Sequence, residues 1–249
     1  MMNLLKSRLS WLTAPLIWLV GILLLLLVWA VSTPEWISAH FDNHGVSPVE
    51  SATVGLFFLQ IGFLWLVPPM RPSRWRAFWL ADFSLITLIA ICRELDWHRL
   101  LVPLSGLPGA TAFGTPFKMR FLTNPANPLG DRLIVAACFA AAIILCAVPL
   151  LYFLRRLLNG LVKLHPVCWS VSFIGGTTLL ILIVDRLPAL LRNDLGIRMS
   201  DSMSALTTIL EEGQELLLPP FAITAILQAH FIYNSDVTDS APLAPFKHL

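Results

Sequence analysis

Polar positions in this chain are sparse and grouped. Between the groups run six apolar stretches, each about the roughly 20 residues a helix needs to cross a bilayer core. They cover 13–31, 49–67, 77–95, 133–153, 167–187 and 205–231. The pattern predicts an all-α polytopic membrane helix bundle with six transmembrane helices. It forms a single transmembrane domain over 1–249, with a long outer loop after the third span and a short cytoplasmic tail over 232–249. The first stretch follows Lys6 and Arg8 as a signal peptide would. Its apolar run is long and no small-x-small cleavage site follows, so it reads as an uncleaved anchor.

Composition narrows the class. Of 249 residues, 57% are apolar and only 13% charged, against roughly 25% charged in an average soluble domain, and the mean hydropathy is +0.75. A soluble globular fold is excluded, and so is disorder, which needs low hydrophobicity and high net charge. A net charge of +2 leaves no basic surface for nucleic acid. Cys92, Cys138, Cys146 and Cys168 all fall in or beside apolar segments without a C-x-x-C pair, and they read as packing residues.

Orientation follows the excess of Lys and Arg in short inner loops. Lys6, Arg8, Arg71, Arg74, Arg76, Arg155, Arg156, Lys163 and Lys247 fall on one side, and the loop from Ser32 to Ser47 has none. The expectation is N-in and C-in, in a bacterial inner membrane. Twelve of the fifteen acids then lie at the outer, periplasmic face, and only Asp82, Asp236 and Asp239 fall elsewhere. Ionisable groups at membrane depth are costly, so they mark candidate functional sites.

Five stretches and one isolated acid carry that candidate chemistry. Ser47-Pro48-Val49-Glu50 has the form of a capping box, with Pro at the first helical position, and Glu50 is also a candidate substrate contact. Arg93-Glu94-Leu95-Asp96-Trp97-His98-Arg99 closes the third span. Glu94 and His98, four apart, share a helical face and suit two ligands of one metal, or a carboxylate orienting an imidazole. Asp96 lies on another face as a substrate contact. Leu210-Glu211-Glu212-Gly213-Gln214-Glu215 follows a Ser200–Ser204 cap in the sixth span. Three carboxylates within five residues repel unless a cation, a proton or an Arg compensates. Glu94, Glu211 and Glu212 are the catalytic candidates, and Glu94, His98, Glu211 and Glu215 the metal ligands. In the outer loop, Phe117-Lys118-Met119-Arg120-Phe121 alternates apolar and basic residues, as an extended or interfacial segment would. Lys118 and Arg120 could grip a phosphate there. Asp185-Arg186 ends the fifth span before Pro188 as an ion pair, with Asp185 a further substrate contact. Asp82 stands alone near the inner end of the third span.

The stretches Gly45 to Glu50, Arg93-Glu94-Leu95-Asp96-Trp97-His98, Lys118-Met119-Arg120-Phe121 and Leu210 to Leu216 with Pro219 together resemble a family of uncharacterised bacterial integral membrane proteins. That family carries an R-E-L-D-x-H run and an E-E-x-x-E-L run in the same order. The resemblance implies an outer-face site and a bacterial inner membrane. The Glu211-Glu212 pair departs from the E-E-x-x-x-R helix of CAAX-type membrane proteases, because Leu216 stands where Arg belongs.

Three functions fit this inventory. The first is a metal-dependent hydrolase or transferase acting on a lipid or an anionic lipid-linked substrate, through a metal-activated water. Its ligand set, with one His, suits one divalent ion among Zn²⁺, Mg²⁺, Mn²⁺ and Ca²⁺. The second is a proton- or cation-coupled transporter with Asp82 as the inner station and helix breaks at Gly175-Gly176 and Pro219-Pro220. The third is a non-catalytic membrane subunit.

Overall fold

The computed structural model describes residues 9–41, 47–67, 69, 75–95, 119–125 and 127–233. Among them the regular structure is helical: a 3₁₀ turn at Ser10–Leu12, then α1 (Thr13–Val31), α2 (Pro34–Phe41), α3 (Pro48–Leu66), α4 (Arg76–Glu94), α5 (Met119–Thr123), α6 (Leu129–Val162), α7 (Pro166–Asn193) and α8 (Asp201–Tyr233). Five of the six expected spans, α1, α3, α6, α7 and α8, are long and apolar enough to cross a membrane. The remaining one, the third expected span α4, has 19 residues but carries Arg76, Asp82, Arg93 and Glu94, which dilute its apolar character.

Several sequence expectations are corrected here. The loop after the first span contains a helix, α2, which starts at a proline as first turns allow. Of the extended or interfacial course expected around Met119 and Arg120, the extended form is replaced by a helix over Met119–Thr123. The fifth span does not end at Asp185-Arg186, because α7 continues through Pro188 to Asn193. The breaks expected at Gly175-Gly176 and Pro219-Pro220 are absent, and α7 and α8 run unbroken through both. A proline removes one amide donor and crowds one carbonyl, and two glycines only weaken a helix. Packing of a long helix against its neighbours outweighs both. At 34 residues, α6 is about 51 Å long and exceeds a bilayer core of roughly 30 Å.

The chain forms two compact units, residues 1–80 with 155–249, and residues 81–154. The first is built around α8, which packs against α1, α2, α3 and α7. A Cβ on Gly213 of α8 would lie 2.3 Å from Leu25 Cδ2 of α1, and one on Gly21 of α1 would lie 2.7 Å from Leu217 Cδ1 of α8. Each helix thus receives a leucine of the other over a glycine. Four residues forward on α1 matches four residues back on α8, so the pair is antiparallel. The same direction holds at the ends, where the Trp29 indole donates to Ser202 O at 3.1 Å and Gln228 Nε2 donates to Ser10 O at 2.9 Å. The Trp11 and Trp169 rings meet at a tilt with centroids 5.2 Å apart and Trp18 meets Phe173 at 6.4 Å, so α1 and α7 run parallel. Leu25, Ile37, Phe41, Ala205 and Ile209 close a core between α1, α2 and α8.

Outside this core the surface is apolar. Leu16, Leu19, Val20, Leu23, Leu24 and Leu27 of α1 are all exposed, an area no water-soluble monomer leaves uncovered. With polar groups inside and leucine outside, this unit suits a lipid solvent. In the second unit, Phe121 and Val135 pack with Leu122 and Phe139, and Asn127 Nδ2 donates to Phe121 O at 2.8 Å, tying the short α5 to the start of α6.

The Gly213–Leu25 contact leaves no room for a branched side chain. Gly213→Val should lower stability by about 1–3 kcal/mol, read as thermal unfolding in detergent. Leu25→Ala in the same chain should recover part of that loss, and a Gly213→Val protein as stable as wild type would sink the interlock.

Candidate functional site

The acidic stretch of the sixth span belongs to α8, and its placement follows from how that helix begins. Ser200 Oγ accepts from the Met203 amide at 3.3 Å, as an N-cap serine does, and Asp201 lies in the first turn, where the helix dipole favours an anion. Ten residues on, Glu211 and Glu212 are half-buried and Glu215 is 2% exposed. The glycine interlock sets their depth. Gly213 packs against Leu25, six residues before the end of α1, or about 9 Å inside that end. The carboxylates therefore lie beside the apolar run Leu23–Leu27 and not beyond it.

Carboxylate oxygens of Glu212 and Glu215 approach within 4.8 Å of one another. Two unit charges at that separation repel by about 3.5 kcal/mol at an effective dielectric constant of ~20, so the pair favours a positive charge between them. Asp201, Ser204, Thr208, Glu212 and Glu215 are spaced by three and four residues and share one face of α8. Along that face side chains pass from exposed at Asp201 and Ser204, through half-buried at Thr208 and Glu212, to buried at Glu215. At its outer end a cleft of about 320 Å³ lies between α2 and α8, lined by Glu35, Ser38, Asp201, Ser204 and Thr208 among others. Hydrogen bonds from its own backbone amide and from the Thr33 hydroxyl hold the Glu35 carboxyl below the usual carboxylate range, so it stays ionised at neutral pH.

The other sequence candidates fall in different places. Glu50 completes the expected capping box, accepting from the Ser47 amide at 3.0 Å while its own amide donates to Ser47 Oγ at 3.0 Å. The Ser47 hydroxyl in turn donates to Phe41 O at 3.2 Å and ties α2 to α3. Asp185 Oδ2 lies 3.9 Å from Arg186 Nε, with both side chains exposed, a pair worth at most about 1 kcal/mol. Glu94 is the last residue of α4 and half-buried, in the second unit. Asp96, His98 and Lys118 lie outside the described residues, as does the side chain of Arg120.

Sequence reasoning missed a second polar centre. Gln228 of α8 is fully buried, and its two ends bridge neighbours: Ser170 Oγ of α7 donates to Gln228 Oε1 at 2.8 Å, and Gln228 Nε2 donates to Ser10 O. Gln214 is also buried, at 1% exposure. The signal was present as Gln214, Phe221 and Gln228 at a seven-residue repeat, a buried helical stripe, but uncharged amides drew less attention than acids.

The chain matches no family model, no curated protein and no solved structure.

The Gln228 bridge can be measured directly. Gln228→Met should cost about 1–2 kcal/mol, because it strands the Ser170 hydroxyl and the Ser10 carbonyl. A double-mutant cycle with Ser170→Ala should give a coupling of about 0.6–1.7 kcal/mol, the range for hydrogen bonds between membrane helices. Strict additivity would contradict the bond.

Proposed function

We propose that this integral membrane protein is a metal-dependent hydrolase or transferase acting on a lipid or lipid-linked substrate, with Glu212 and Glu215 at the heart of its metal site. The observation that carries the reading is the close approach of these two carboxylates on a helix face that sinks from an exposed cleft to a buried end. Paired carboxylates offer hard oxygen ligands, which suit Mg²⁺, Mn²⁺ or Ca²⁺, and an imidazole in the set would extend the choice to Zn²⁺. In this reading Glu94, His98 and Glu211 complete the ligands or supply the general base. Asp96, Lys118 and Arg120 meet the substrate, while Glu50 remains a helix cap and Asp185 a surface ion pair. The bound ion polarises a water or a phosphoryl oxygen. The site faces the periplasm of a bacterial inner membrane in the orientation that the basic loops suggest.

The unbroken course of α7 and α8 supports an enzyme over a carrier, since carriers of small solutes commonly bind at interrupted helices. Burial of Glu215 likewise supports a bound ion over a docking surface for a basic loop, which would leave the carboxylates at the exposed end of the helix.

Metal analysis of the purified protein should find one divalent ion per chain, lost in Glu215→Gln and in Glu212→Gln. Saturating wild type at one hundred times the dissociation constant should add about 2.7 kcal/mol of stability, and the same ion should add none to Glu215→Gln. Wild-type protein that holds no metal, and gains no stability from any of the four ions, would overturn the proposal.

A further inference from the structure

Among the described residues, the one buried carboxylate oxygen without a hydrogen-bond partner is Asp82 Oδ2. Asp82 is 8% exposed and lies in the second unit, on the helix whose own sequence denies it a counter-ion. Its neighbours one turn away along α4 are Phe78, Trp79, Leu85 and Ile86, all apolar. The basic residues of that helix, Arg76 and Arg93, stand six and eleven positions off, about 9 and 16 Å along the axis. From α6, the Cys146 thiol lies near enough to interact with Asp82 and carries no positive charge to offer.

An isolated carboxylate in such surroundings is the least favourable form of the group. Removing an ionised carboxylate from water without a cation costs far more than removing the acid, so the group takes up a proton instead. One carboxyl and one thiol are too few ligands for a metal, whose structural sites use four or more donors. We propose that Asp82 is a proton-binding site of the second unit, an un-ionised carboxylic acid that exchanges one proton and is open to capture by an apolar carbodiimide. The inference is independent of the metal reading, since Asp82 belongs to neither the Glu212–Glu215 pair nor its cleft.

The capture reaction distinguishes this state from an ionised one. The carboxylic O–H proton moves to a carbodiimide nitrogen as the carboxyl oxygen bonds to the central carbon. The O-acylisourea so formed rearranges to a stable N-acylurea by moving the acyl group from oxygen to nitrogen, with nothing expelled. Purified full-length protein in detergent is treated with dicyclohexylcarbodiimide, and the modified residue is mapped by mass spectrometry. The expected result is one carbodiimide on Asp82, lost as the pH is raised and absent in Asp82→Asn. A water-soluble carbodiimide with an amine nucleophile should modify Glu35, Asp185 and Asp201 and spare Asp82. Absence of the apolar label from wild-type Asp82, or modification of Asp82 by the soluble reagent as readily as Glu35, overturns the proposal. Thermal unfolding adds a check that does not depend on labelling. Asp82→Asn keeps the shape and removes the acid, so it should be at least as stable as wild type at neutral pH. A large loss would show that an ionised Asp82 had been contributing to the fold.

Discussion

The structure of the first unit depends on one steric exchange, in which Gly21 and Gly213 each give up a side chain so that Leu217 and Leu25 can sit over them. Lipid tails are as apolar as leucine, so burial alone gives membrane helices little reason to associate, and close van der Waals approach over small residues takes its place. Here the exchange does more than join two helices. It fixes the longitudinal register of α8 against α1, and the register decides that the Glu211–Glu215 stretch is held beside apolar helix and not in water. A slide of one helical turn would move the carboxylates by about 5 Å. It would also part Gln228 from the Ser10 carbonyl at the other end, so the glycine exchange and the amide bridge enforce the same alignment from two places.

That arrangement inverts the usual pattern of a soluble bundle. The helix with the most acids among the apolar spans is the most enclosed, and the strongly apolar α1 turns rows of leucine outward. Polar atoms on α8 then have few neighbours other than helix, so some bond across helices and others are crowded together on α8 itself. Ser170 and Gln228 show the first solution, and the Glu212–Glu215 approach shows the second. Enclosed carboxylates are retained at an energetic cost, and sites that carry such a cost are where binding and catalysis concentrate.

Much of the architecture was legible in the chain. Apolar runs located α1 and α3 to within a residue, because these helices are about as long as a bilayer core is thick and are bounded by polar turns at Ser32 and Ser47. The ends of α6, α7 and α8 were underestimated, since helices that continue past the apolar run into charged sequence leave no hydropathy signal there. Pro188 and the Pro219-Pro220 pair misled for a related reason: a proline's local cost is visible in sequence, whereas the packing that outweighs it is not. At the site, the Glu50 capping box could be read from spacing alone because both partners lie within one turn. The depth of Glu215 could not be read, because it is set by Leu25, nearly two hundred positions away.

Charge on α8 is graded along its axis, and the gradient has a physical consequence. Asp201 at the first turn meets the positive end of the helix dipole and open solvent. Glu215, four turns further on, has left the first turn where the dipole acts and is enclosed by packing. A cation moving along the shared face from the α2–α8 cleft would pass hydroxyls at Ser204 and Thr208 before reaching the Glu212–Glu215 pair. It would exchange water for protein oxygen in steps, while the negative charge ahead of it became less screened. Attraction for such a cation would strengthen with depth as hydration is lost, which is how a partly enclosed acid pair competes with bulk water for an ion.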